Sequence, residues 1–138
     1  MTPRVEMARA VRERAGDRCQ YCLMHQSLQG AAFHMEHINP RSKGGETRVA
    51  NLTLACPSCN LHKADRTDAI DPSTSARVPL FHPLQQVWSE HFRFRVYEIE
   101  GLTPVGRATV AALNFNHARR QRIRVAEQKF GLYPFDSR

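Results

Sequence analysis

The chain has 138 residues, carries a net charge of +7 and contains four cysteines. That length gives one domain, or a small module with an extension, and a core modest enough for a metal staple to matter. No apolar run approaches the length of a membrane span, and residues 1–6 lack the apolar core of a secretory signal, so a soluble protein in a reducing cytoplasm is expected. In that compartment paired cysteines read as metal ligands before disulfides.

The charge is unevenly spread. Residues 1–18 hold 5 basic against 3 acidic side chains, residues 19–100 hold 8 against 8, and residues 101–138 hold 7 against 2. The excess at both ends suits a polyanionic partner, although solubility explains a mildly basic protein equally well.

In chain order, Thr2-Pro3 supplies a helix N-cap and first position, and Gly16 supplies a stop. Val5, Ala8, Val11 and Ala15 give this first helix an irregular apolar face, with Arg4, Arg9, Arg12 and Arg14 around the remainder; a solvated helix packed on its neighbour is the simpler reading. Asp17 to Cys22 forms a tight knuckle, followed by loop to Gly30. Phe33 and Met35 then alternate with His34 and Glu36, predicting a short strand with the first pair facing a core. Pro40 and Gly44-Gly45 mark a loop, Leu52 to Ala55 a second strand, and Pro57 onward a helix carrying Asn60 and Lys63. The order is strand, loop, strand, helix.

Residues 67–79 read as a linker or surface loop, and Leu80 to Trp88 as irregular structure. His91 to Ile99 alternates as a strand, but adjacent Val96-Tyr97 breaks the phase and allows a bulge or tight hairpin. Thr103-Pro104 repeats the cap signal for a helix, and Asn116 is the expected cap of a last helix ending near Gly131. On that helix Ile123, Ala126 and Phe130 mark the expected buried side. Arg119, Arg120, Arg122 and Arg124 form either a solvated face or a phosphate-tracking one, which Arg93 and Arg95 would extend. Trp88 and Phe92 are expected in a core.

Cys19/Cys22 and Cys56/Cys59 are two Cys-x-x-Cys pairs, the pattern of a four-thiolate tetrahedral zinc site with one knuckle from each pair. The alternative is two unrelated pairs, one of them redox-active, but neither is accompanied by a thioredoxin-like pattern. His25 and His62 lie close to these cysteines and are further zinc candidates. Between the pairs stand Glu36-His37, Pro40-x-x-Lys43-Gly44-Gly45 and Asn51-Leu52, and Asn60 and Lys63 follow the second pair.

This joint order, from Cys19 to about Arg66, resembles the HNH endonucleases, the zinc-supported branch of the ββα-metal (His-Me finger) nucleases. The resemblance implies a small ββα-metal module over 19–66 stapled by a four-cysteine zinc site; with the helix read over residues 1–18 and the strand-plus-two-helix extension read over 67–138, which is expected to dock on the module, the expected fold class is α+β. It implies a metal-dependent endonuclease acting on DNA, most simply double-stranded DNA. His37 would be the general base, Asn51 the residue that orients it, and Glu36 and Asn60 the protein ligands of a catalytic divalent cation. Structural Zn²⁺ would sit on Cys19, Cys22, Cys56 and Cys59. Arg41, Lys43 and Lys63 would meet phosphate, and His34 is either a further contact or a structural hydrogen-bonding residue.

The chemistry suits these residue types: histidine titrates near neutrality, and oxygen donors suit a hard cation such as Mg²⁺. Glu36 stands where aspartate is commoner in the family, and Asn60 stands in place of the third-position histidine. Both keep oxygen donors and leave the metal open among Mg²⁺, Mn²⁺ and other transition metals. Two other classes compete, a zinc-stapled nucleic-acid-binding module without catalysis and a zinc-stapled protein-interaction domain. Neither explains Glu36, His37, Asn51 and Asn60 together. One such site cuts one strand, so a double-strand break needs a dimer or two visits. Restriction, mobile-element and repair roles all remain open.

Overall fold

The computed structural model describes residues 3–135, so the expected Thr2 cap lies outside the described residues. The chain divides into two compact units, with the boundary between Thr67 and Asp68.

The first unit opens with helix α1 (Pro3–Ala15), which Gly16 ends in the left-handed conformation at φ 59°. Of its expected apolar face only Val11 is fully buried, whereas Val5 is exposed. The helix is also held at its far end, where the Arg14 guanidinium donates to the carbonyls of Val49 and Leu52. Strands β1 (His34–His37) and β2 (Leu52–Ala55) pair antiparallel, His34 opposite Ala55 and His37 opposite Leu52. All four β2 residues are buried. The Cys19 knuckle is tied to that strand by the Gln20 amide, which donates to Leu54 O at 2.9 Å. Helix α2 (Pro57–Lys63) starts at Cys56, whose sulfur accepts from the Cys59 amide, with Pro57 in the first turn where no amide hydrogen is required.

One face of β1 differs from expectation. Phe33 is buried, but within the strand the buried residue is Glu36 rather than Met35, which is half-buried. Alternation reports which residues share a face, not which face is covered. Here the covered face is the one on which a charged partner waits.

The second unit begins with a hairpin where a linker is expected. Strands β3 (Asp68–Ile70) and β4 (Arg77–Pro79) pair antiparallel. The Asp-Pro-Ser-Thr-Ser run is turn chemistry, and in this chain the turn lies inside a hairpin. Its centre is Asp71, 0% exposed, which accepts hydrogen bonds from the Ser73 amide and the Thr74 hydroxyl. Asp71 also accepts a two-pronged bond from Arg107 (Nε 3.0 Å, Nη2 2.9 Å) on helix α4 (Pro104–Ala112). These donors hold the Asp71 carboxyl well below the usual carboxylate range, the Arg107 bond contributing most. Because the folded-state value lies below the unfolded one, the stabilisation is present above about pH 4 and is lost as pH falls below it. Asp71→Asn is therefore expected to lower the urea midpoint at pH 7, and the gap to wild type should close in titrations carried to acid pH.

After the short helix α3 (Trp88–His91), strands β5 (Phe92–Arg95) and β6 (Glu98–Gly101) form the tight hairpin that the broken alternation allowed. Trp88 and Phe92 are buried, as expected, and the Phe92 ring meets Phe81 at 5.1 Å, Trp88 at 5.0 Å and Phe115 at 5.6 Å between centroids. Helix α5 (Ala118–Lys129) is capped by His117, not by Asn116. Asn116 instead clips β6, accepting from Ile99 N and donating to Ile99 O.

The face that α5 buries is also not the expected one. Arg120 and Arg124 are each 1% exposed and Glu127 is buried, while Phe130 is exposed. Arg120 Nη1 donates to the carbonyls of Leu113 and Asn114; Arg124 donates to those of Tyr97 and Phe115. A guanidinium satisfies several buried carbonyls at once, so these arginines tie α5 to the loop before it and to the β5–β6 turn. Within α5 only Arg119 and Arg122 of the four are exposed, so the expected face of four arginines is not formed.

Candidate metal centre and active site

The two knuckles bring Cys19, Cys22, Cys56 and Cys59 together, with their sulfur atoms all within 4.8 Å of one another and every residue buried. Cys22 and Cys56 sulfurs lie 3.8 Å apart, and none of the four is in a disulfide. A tetrahedron with Zn–S bonds of about 2.3 Å has S···S edges of about 3.8 Å, so the cluster has the size and donor set of a structural zinc site. As thiols, Cys19 and Cys59 are pushed well up, first by burial and then by neighbouring cysteines. A bound cation reverses that preference by stabilising thiolate. Among the described residues, no other group of three or more His, Cys, Asp and Glu side chains is placed to hold a metal. His25 is not in the cluster; its Nδ1 accepts from the Ser27 amide and caps a short 3-10 turn. His62 is not in it either.

Between β1 and β2 the chain makes a compact loop. The amides of Lys43 and Gly45 both donate to Pro40 O at 2.9 Å, and Gly44 turns the chain at φ 86°. Gly45 has a different reason to be glycine: a Cβ there would fall 1.8 Å from the Asn39 carbonyl oxygen. Gly45→Ala must therefore open the loop, and we expect it to cost about 2 kcal/mol or more, read as a drop in the denaturant midpoint.

Asn51 clamps the loop at both ends. Its side chain accepts from Asn39 N (2.9 Å) and donates to Asn39 O (3.0 Å) and Glu46 O (2.9 Å). Its carbonyl receives the Ile38 amide at 2.9 Å, next to His37. The His37 ring is partly exposed, and its Nε2 lies 2.8 Å from the Thr47 hydroxyl. Burial, then the charges of Arg41, Arg4 and Lys63, hold the His37 pKa below the usual imidazole value, which favours the neutral ring.

Glu36 and Lys63 meet under this loop, Nζ 2.9 Å from Oε1, with side chains 7% and 2% exposed. Lys63 Nζ also lies 3.4 Å from His37 O. Burial raises the Glu36 pKa while Lys63 opposes it, and the buried Tyr21 phenol is pushed well up by burial and by the Glu36 charge. Lys63 is thus a buried partner of the acid rather than an exposed phosphate contact, which corrects the expectation from its position after Asn60. Asn60 precedes Lys63 by three residues on α2 and is half-buried. Arg41 and Lys43 are exposed on the loop beside His37, and His34 is exposed at the start of β1.

Residues 19–66 match the family model described as HNH endonuclease. The match covers about a third of the chain, and that segment is similar to the HNH endonucleases. Comparison with curated proteins and with solved structures returned no match. The matched segment contains the whole four-cysteine cluster, both strands of the first unit, the clamped loop and α2. Thr47 and Tyr21 are not marked as site residues by the sequence. Thr47 sits ten residues from the ring it touches, and no local pattern announces such a pair. Among the described residues no helix is long and apolar enough to cross a membrane.

Proposed function

We propose that the HNH domain is a metal-dependent endonuclease that hydrolyses DNA phosphodiester bonds. The observation that carries this reading is the HNH match over the segment in which Asn51 clamps the loop beside a partly exposed His37. In the reaction, His37 takes a proton from the attacking water as the water oxygen bonds to phosphorus and the bond to O3′ breaks. The departing oxygen takes a proton from solvent, giving 5′-phosphate and 3′-hydroxyl ends. Asn51 keeps the loop, and with it the ring, in place. Arg41 and Lys43 hold phosphate oxygens, with Arg119 and Arg122 as further contacts in the second unit.

Glu36 and Asn60 fit a hard divalent cation by donor chemistry, a carboxylate and an amide oxygen, although Lys63 already occupies one Glu36 oxygen. When bound there, Mg²⁺ or Mn²⁺ would supply positive charge at the phosphate and the departing oxygen. The Glu36–Lys63 pair is the observation that favours a second reading, a zinc-stapled module that binds nucleic acid without cutting it. Supercoiled plasmid separates the two. Nicking that requires added Mg²⁺ or Mn²⁺ supports the nuclease, whereas salt-sensitive binding without nicking supports the module.

A further inference from the structure

We infer that Thr47 is a positioning residue that sets the tautomer of His37, accepting a hydrogen bond from Nε2–H and so leaving the lone pair on Nδ1. The inference rests on the reading of His37 as the base and adds the group that prepares it. Nε2 and the Thr47 hydroxyl are 2.8 Å apart, a full hydrogen bond. A neutral imidazole has one N–H and one lone pair, and a hydroxyl can serve either. The two arrangements differ in consequence. If the hydroxyl donates, the lone pair is on Nε2 and already occupied, and the ring must break that bond before it accepts a proton from water. If Nε2–H donates, the lone pair is on Nδ1, the nitrogen that Thr47 does not engage.

The position of Thr47 is fixed through its backbone. Glu46, its neighbour, has its carbonyl held by Asn51 Nδ2 at 2.9 Å, and the same amide holds Asn39 O at 3.0 Å. Gly45 N is held to Pro40 O. Asn51 therefore acts on the ring through the loop: by fixing both ends of residues 39–46 it delivers the hydroxyl to Nε2. Loss of that one oxygen frees the ring to adopt either tautomer and either flip while the loop stays closed.

Thr47→Val removes the hydroxyl at nearly constant shape, and Thr47→Ser retains it. Thr47 is exposed, so both variants are expected to fold and to hold wild-type zinc. Two readouts are taken on zinc-loaded full chain. The first is the ring ¹⁵N spectrum of His37 at alkaline pH, assigned by its disappearance in His37→Gln. The second is single-turnover nicking of plasmid at saturating Mg²⁺, with DNA half-saturation measured alongside. Wild type and Thr47→Ser should show a protonated Nε2, and Thr47→Val a mixture of tautomers. The Thr47→Val rate should fall by about 10- to 100-fold with half-saturation unchanged, and Thr47→Ser should recover most of it. An unchanged His37 spectrum in Thr47→Val, or a serine variant as slow as the valine one, would overturn the inference. If wild type nicks nothing, the nuclease reading fails, and the spectrum alone still decides whether Thr47 sets the tautomer.

Discussion

Stripping zinc from the four-cysteine cluster should unfold the first unit and abolish nicking together. The first unit has little else to hold it: two four-residue strands, a seven-residue helix and α1, which buries Val11 completely and leaves Val5 exposed. The cysteines lie where these pieces join. Cys19 and Cys22 belong to the knuckle that bonds to β2, Cys56 follows β2 and caps α2, and Cys59 sits on the first turn of α2. Free energies of structural zinc binding of about 10–16 kcal/mol exceed what so small a core supplies by itself. A tight chelator, or Cys59→Ser, should therefore remove the near-ultraviolet signal of Tyr21 and part of the helical signal. Metal analysis should find a single zinc per chain before treatment. Full structure and activity in zinc-free protein would show that the cluster is not a staple.

The second large effect is expected at Lys63. Its ammonium neutralises Glu36 in a place where neither side chain is more than 7% exposed. Lys63→Met leaves a buried carboxylate without its cation, and breaking such a pair from one side typically costs about 3–5 kcal/mol. Removing both charges with Lys63→Met and Glu36→Gln should return most of that loss, because the cost lies in the unpaired charge. Urea unfolding of the two single variants and the double variant measures the coupling. A loss below about 1 kcal/mol in Lys63→Met would mean that water or another group reaches Glu36. The pair also bears on metal binding: Glu36 meets any cation with one oxygen already beside an ammonium, so the Mg²⁺ requirement should shift in Lys63→Met protein that remains folded.

Much of the first unit is legible in the sequence because its signals are local. Two Cys-x-x-Cys pairs, Pro57 after Cys56 and the Gly44-Gly45 turn each state their structure within a few residues. What escapes is partnership at a distance. Nothing near Glu36 announces that Lys63 will cover it, so the strand's buried face is misassigned to Met35. In the second unit Asn116 looks like a cap but is taken by Ile99, leaving His117 to cap α5. Arg120 and Arg124 look like surface charge because arginine usually is, yet each serves two main-chain carbonyls in the interior. The hairpin at residues 68–79 is hidden because three-residue strands carry too little alternation to separate them from a loop.

The most direct test of the account is nicking of supercoiled plasmid by wild type and His37→Ala, each with and without Mg²⁺ or Mn²⁺, with zinc content measured in both proteins. The account predicts metal-dependent nicking by wild type, with 5′-phosphate and 3′-hydroxyl ends. His37→Ala, holding the same zinc, should lose about 100-fold or more of that rate. Equal nicking by zinc-loaded wild type and His37→Ala would contradict it.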